Sequence, residues 1–201
     1  MNKNTSSILK SVTKPGRYSG GEYGQIIKNK DEVKARFAFC FPDTYEIGMS
    51  NLGVRILYGV LNEEKDVWCE RAYTPWIDMQ EKMRENNIPL TACESGDPIS
   101  EFDMIGFTLQ YEMCYTNVLN MLELAGLPLR ASERDESMPI VIGGGPCAYN
   151  PEPVADFFDL FNIGEGEEML PELCRLYIKM REEGRYTKEA YLHEAARTIV
   201  G

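Results

Sequence analysis

The run Phe102-Asp103-Met104-Ile105-Gly106-Phe107-Thr108-Leu109 constrains this chain most. Its apolar residues do not alternate with polar ones, so both faces must be covered. That is the condition of a central strand in a parallel sheet. Four further short runs read as strands: Val33 to Phe41, Val67 to Tyr73, Pro139 to Ile142 and Leu160 to Ile163. Segments of helical periodicity lie between them. Strands alternating with helices, joined by right-handed crossovers, give an α/β fold. The expectation is a doubly wound, five-stranded parallel sheet of flavodoxin-like or Rossmann-like type, with helices on both faces and strand order 2-1-3-4-5.

The helices have legible ends. Ser50 can cap a first helix carrying Leu52, Ile56, Leu57, Val60 and Leu61 on its inner side. Gly53 in its first turn suggests that something approaches the backbone closely there. Thr74-Pro75 can open a second helix that sets Trp76, Met79 and Met83 on one face and stops near Asn86-Asn87. Thr116 can cap a third, Asn117 to Ala125, ended by Gly126 and Pro128. A short helix around Pro153 to Phe158 precedes the fifth strand. A long helix then runs to about Glu183, with Leu170, Leu173, Tyr177 and Met180 on one face, and a last helix spans about Lys188 to Ile199. Residues 1–32 are polar and turn-rich; Tyr18 and Tyr23 suggest that part of this extension packs on the domain.

Composition narrows the function. The net charge is −11, and no basic patch offers the phosphate neutralisation on which nucleic-acid affinity depends. No run of roughly 18 apolar residues exists to span a membrane. The N-terminus lacks the apolar core of a signal peptide, so a cytoplasmic location is the expectation. The six cysteines, Cys40, Cys69, Cys93, Cys114, Cys147 and Cys174, form no CxxC or CxxxCxxC motif. Scattered cysteines of this kind are usually reduced and buried. Cys147, in a glycine-rich loop, is the one to watch. His193, the only histidine, reads as a surface residue, and the late glutamate run as a solvated helix face.

Ligands of open α/β sheets sit at the carboxyl ends of the strands. Three loops meet there: Phe41 to Asn51, Thr108 to Tyr115 and Gly143 to Asn150. They offer Asp43 and Tyr45, then Thr108, Gln110, Tyr111 and Glu112, then Gly143, Gly144 and Gly145. Three glycines at a strand end read either as a backbone cradle for a bulky or phosphate-bearing ligand, or as a tight strand-to-helix turn.

Several strings carry a family resemblance. They are Asp43-x-Tyr45-x-x-Gly48, Gly106-Phe107-Thr108-Leu109-Gln110, Val141-Ile142-Gly143-Gly144-Gly145-Pro146 and, most specifically, Gly164-Glu165-Gly166-Glu167-Glu168. Together they resemble the cobalamin-binding-type domain at the N-terminus of many radical SAM proteins. Arg17-Tyr18-x-Gly20-x-Glu22, Leu109-Gln110-Tyr111-Glu112 and Asn150-Pro151-Glu152-Pro153 resemble an uncharacterised subfamily of large radical SAM proteins. The resemblance implies a boundary scheme: extension 1–32, cobalamin-binding-like domain 33–185, and a C-terminal helix, 186–201, leading to a radical SAM core absent from this sequence.

The resemblance also implies a site. In the cobalamin family a D-x-H-x-x-G loop supplies a cobalt-ligating histidine oriented by the aspartate. By position, Asp43 and Gly48 match and Tyr45 stands where the histidine would be. Thr108 and Gln110 take the places of a Ser-x-Leu strand end, and Gly143 and Gly144 those of a Gly-Gly turn along the nucleotide tail. The cofactor implied for this domain is cobalamin. A [4Fe–4S] cluster and S-adenosylmethionine, cleaved to a 5′-deoxyadenosyl radical, are implied only for the downstream core, which is the expected partner. A neutral phenol is a poor cobalt ligand. The alternative is therefore a scaffold or interaction domain that has lost the cofactor. A nucleotide-binding domain ranks last, for want of a G-x-G-x-x-G after the first strand. Neither reading makes this chain catalytic by itself.

Overall fold

The computed structural model describes residues 8–200. Five parallel strands form one sheet: β1 (Ala35–Phe41), β2 (Val67–Tyr73), β3 (Met104–Thr108), β4 (Ile140–Gly144) and β5 (Leu160–Phe161). Their order is β2-β1-β3-β4-β5, the flavodoxin-like order expected. Among the described residues, six α-helices surround them: α1 (Tyr45–Ser50), α2 (Leu52–Glu63), α3 (Ile77–Asn86), α4 (Tyr115–Leu124), α5 (Gly166–Glu182) and α6 (Lys188–Thr198).

The two faces of the sheet make two cores, because successive strand residues point to opposite sides. Along β1, Ala38 and Cys40 join Ile105, Phe107 and Val141 under α3 and α4. Phe37, Phe39 and Phe41 join Met104, Ile140 and Ile142 under α2, α5 and α6. Every residue of β1, β2 and β3 is buried. Each large apolar side chain so covered contributes about 1.5–3 kcal/mol relative to exposure.

Strand edges are guarded. Residues 92–97 and the N-terminal segment cover the outer side of β2. Cys93 N donates to Arg71 O at 2.8 Å, and Trp68 Nε1 to Ile26 O at 3.1 Å. The Lys28 ammonium donates to the carbonyls of Asn62, Glu64 and Val67. At the other edge β5 has only two residues. A covered edge and a very short one both suppress edge-to-edge pairing. Tyr18 is half-buried and its hydroxyl accepts from Trp76 N, so the extension does pack on the domain. Tyr23 is fully exposed and takes no part.

β2 carries two buried ion pairs. Arg36 meets Glu70 at 2.5 Å and Arg71 meets Glu94 at 2.7 Å, with side chains 10%, 0%, 6% and 0% exposed. Burial pushes the Glu94 carboxyl above its ordinary range despite the adjacent guanidinium.

Local readings shift in four places. Asp43 to Asn51 is not an open loop, because Tyr45–Ser50 forms the short helix α1. Asn51, not Ser50, caps α2, its side chain accepting from Val54 N at 3.0 Å. The inner face of α2 is Val54, Tyr58, Leu61 and Asn62, while Leu52 and Ile56 are exposed. Hydropathy discounts Tyr58 and Asn62, yet both are satisfied inside: Tyr58 Oη accepts from Ile26 N, and Asn62 bridges Tyr58 O and both polar groups of Cys69. Paired polar groups can be buried at little cost. α3 starts at Ile77 with Trp76 exposed outside it, so only Met79 and Met83 face the core. α4 starts at Tyr115, directly out of a 3-10 turn over Glu112–Cys114, which leaves Thr116 inside the helix. The late elements follow expectation: Leu170, Leu173, Tyr177 and Met180 are buried, and His193 is exposed.

Candidate functional site at the carboxyl edge of the sheet

β1 and β3 are neighbours, and the chain winds away from them in opposite directions. The crevice between their carboxyl ends is the topological switch point where ligands of such sheets bind. Two hydrogen bonds cross it. Tyr111 Oη, after β3, donates to Asp43 Oδ2, after β1, at 2.7 Å. Asn117 Nδ2, in the first turn of α4, donates to Pro42 O at 2.9 Å. Asp43 Oδ1 accepts from Thr44 N at 2.7 Å, and Asp43 O accepts from Thr74 N at 2.9 Å. Both carboxylate oxygens are engaged, and the loops after β1, β2 and β3 are tied together. The Asp43 carboxylate beside it raises the Tyr111 phenol to about 12.

Tyr45 turns elsewhere. It is half-buried, with its ring edge-on to Tyr73 at 5.6 Å. Burial, with the Glu22 carboxylate nearby, raises its phenol to about 12. Gly48 is dictated by the same neighbour, since a Cβ there would lie 2.3 Å from the Tyr73 ring.

Thr108, Gln110 and the glycines form a second cluster. Gln110 Nε2 donates to Thr108 Oγ1 at 2.5 Å. Leu109 N donates to Gly144 O at 2.7 Å and Cys147 N to Leu109 O at 3.0 Å, stitching the ends of β3 and β4. Gly143 and Gly144 are strand residues rather than a turn. A Cβ on Gly143 would meet the Phe161 ring at 2.8 Å, whereas one on Gly144 would meet nothing nearer than 3.8 Å. Gly145 has φ +89°, and a Cβ there would lie 3.0 Å from Thr108 Oγ1. A close approach of backbone to side chain explains Gly143, and a positive φ explains Gly145. At Gly53 the nearest atom to a Cβ is the Asn51 cap itself, 3.3 Å away.

The expected site residues thus fall into two groups at one sheet edge: Asp43, Tyr45 and Gly48 around β1, and Thr108, Gln110, Gly143, Gly144 and Gly145 around β3 and β4. As placed, they do not fit a corrin ligand set. Tyr45 holds a neutral phenol packed inward, Asp43 is committed to Tyr111, and the space beside Gly143 and Gly145 belongs to the protein's own side chains. Cys147 is half-buried in a 3-10 turn. Among the described residues, no group of three or more His, Cys, Asp or Glu could hold a metal ion, and no helix is long and apolar enough to cross a membrane.

Tyr111 and Asn117 are the residues whose role sequence reasoning missed. Tyr111 was visible as part of a motif and Asn117 as a helix start. The expected strand order already sets β1 beside β3, but the pairing of each with the loop after β1 depends on loop conformations that the order does not give.

Fold and edge together define a flavodoxin-like α/β domain whose switch-point crevice is clasped by its own side chains. Comparison with known proteins makes this specific. Over residues 53–200 the chain matches the family described as radical SAM proteins, N-terminal, and it belongs to that family. It is 30% identical over 152 residues to an uncharacterised protein of Methanocaldococcus jannaschii, a match covering 75% of this chain and 28% of that relative. The chain therefore spans well under half of the relative's length. No solved structure matches it.

Proposed function

We propose that this chain is an accessory domain of a radical SAM enzyme that acts as a scaffold and carries no cobalamin of its own. One observation carries the reading: Tyr111 and Asn117 bridge the switch-point crevice to Asp43 and Pro42. A corrin would have to displace both bonds and re-aim Asp43. The half-buried Asn117 and Asp43 groups left without partners would cost about 1–3 kcal/mol each, the more exposed Tyr111 hydroxyl less. In this reading the [4Fe–4S] cluster and S-adenosylmethionine belong to a separate core, since the sequence has no CxxxCxxC motif. The work of this chain is to bind and orient that core and to exclude water from it, which suits radical intermediates that side reactions would quench.

The alternative is a cobalamin-binding accessory domain. It draws on the retained Asp43 and Gly48 and on the shared strand order. Incubation with hydroxocobalamin followed by desalting separates the two. The scaffold reading expects no corrin absorbance to co-elute with protein. Stoichiometric retained corrin would overturn it and select the alternative.

A further inference from the structure

Six of the exposed large apolar side chains of this domain gather at one end of the sheet, while others, such as Ile27, Ile56 and Leu129, lie elsewhere. Each of the five strand-end loops presents one at the carboxyl edge: Trp76 after β2 (47% exposed), Ile47 after β1 (50%), Tyr111 and Met113 after β3 (40% and 83%), Tyr149 after β4 (73%) and Ile163 after β5 (38%). The sheet order sets the loops that carry them side by side in that sequence. The amino edge is built differently. Lys34 bridges Asp66 and Glu182 there, Arg185 pairs with Glu183, and Lys30 with Asp97. Exposed apolar residues scattered singly need no explanation, but one on every strand-end loop of the same edge points to an interaction surface.

Some of the charges within the rim are already paired, while Glu112, Glu152 and Glu165 on the same loops are exposed and make no ion pair among the described residues. Glu46 takes both Lys14 and Arg17, Arg17 also lies over the Trp76 ring at 5.3 Å, and Asp43 holds Tyr111. An occupant of this face must therefore pair the carboxylates of Glu112, Glu152 and Glu165 or leave them in water, since burying them alone would be costly. Two of its aromatic residues are held in place beforehand, which lowers the ordering cost of docking.

We infer that this carboxyl edge is the docking face for the folded catalytic core of the radical SAM protein that this domain serves. The inference rests on the accessory-domain reading and adds which surface faces the core. A second copy is the poorer occupant, because each chain brings a net charge of −11 and like net charge opposes association. The family is that of radical SAM N-terminal regions, and the match leaves most of the relative's length outside the aligned segment, so a body large enough to cover the rim is at hand.

The test uses the full-length protein with p-benzoylphenylalanine in place of Met113 or Tyr149, and in place of Glu183 as an amino-edge control. Irradiation and peptide mapping read the contacts. The expected result is cross-links from positions 113 and 149 to peptides of the core, and none from position 183. Cross-links from 183 alone, cross-links between two copies, or none from 113 and 149 overturn the inference. The double variant Met113→Glu/Tyr149→Glu supplies a second reading: hydrogen exchange of residues 111–115 and 146–149 in the full-length protein should lose its protection, and unchanged exchange argues against the face. The iron–sulfur chromophore keeps the two levels apart. A full-length protein that assembles no cluster undermines the accessory-domain reading itself, whereas a cluster with no cross-link to the core undermines only the choice of surface.

Discussion

Tyr111 Oη and Asp43 Oδ2 lie 2.7 Å apart, a hydrogen bond that joins residues 68 positions apart in the chain. It ties the loop after β1 to the loop after β3 at the one crevice where a sheet of this order would hold a ligand. The residue that a cobalamin reading needs as an orienting group is thereby a structural acceptor.

Tyr111→Phe removes the donor and keeps the ring. Because Tyr111 is partly exposed, the loss of stability should sit near the low end of about 0.5–1.5 kcal/mol, read by urea denaturation. The phenol's folded value is raised from 10.0 to about 12. A raised value means that the neutral form is favoured by folding. Its contribution is complete below pH 10 and disappears as pH rises through the folded value. The wild-type protein should therefore lose stability more steeply than Tyr111→Phe over that alkaline window. Parallel curves would argue that the bond is absent in solution.

Gly143 and Gly144 separate a self-packed strand end from a ligand cradle. Gly143→Ala forces a methyl group into the Phe161 ring and should cost about 1–3 kcal/mol without any ligand present. Gly144→Ala meets nothing closer than 3.8 Å and should be nearly neutral. Equal thermal stability of the two variants would contradict the packing described.

Removing one member of the Arg71–Glu94 pair leaves a buried, uncompensated charge. Arg71→Leu should destabilise by about 3–5 kcal/mol, with much of that recovered in Arg71→Leu/Glu94→Leu. Burial already pushes the Glu94 carboxyl upward. In Arg71→Leu it should rise further, so the variant should gain relative stability as pH falls toward Glu94's folded value. A flat difference between pH 4 and pH 7 would rule out Glu94 as the stranded charge.

Tyr45→His places an imidazole at the position that the resemblance to cobalamin-binding domains aligns with a cobalt ligand. With the residue packed edge-on to Tyr73, the variant should lose about 0.5–1.5 kcal/mol of aromatic contact and acquire no hydroxocobalamin spectral shift. A shift to a histidine-ligated corrin spectrum would show that this edge can accept a corrin.

Periodicity carried the sequence reading a long way where burial is uniform. The central strand lies within Phe102 to Leu109, and half of the inner face of α5 was legible from Leu170, Leu173, Tyr177 and Met180, all buried, though Met169, Cys174 and Ile178 join them. Reading failed where a polar side chain takes a tertiary partner. Asn51 displaces Ser50 as the cap because its oxygen reaches Val54 N. Asn62 turns α2 inward because Cys69, on the neighbouring strand, satisfies it. The three glycines kept two readings open, since nothing local says that Phe161 and Thr108 fill the space beside them.

The alternation of apolar runs with helical periods was enough to settle the class of fold, the five parallel strands and their order. Those follow from burial patterns and the handedness of crossovers, which act over short stretches of chain. Whether the carboxyl edge is open or clasped was settled only in three dimensions. Asp43 is separated from Tyr111 by 68 positions, as Pro42 is from Asn117 by 75. A hydrogen bond is made only when packing brings donor and acceptor within about 3 Å, and that juxtaposition is a property of the folded sheet.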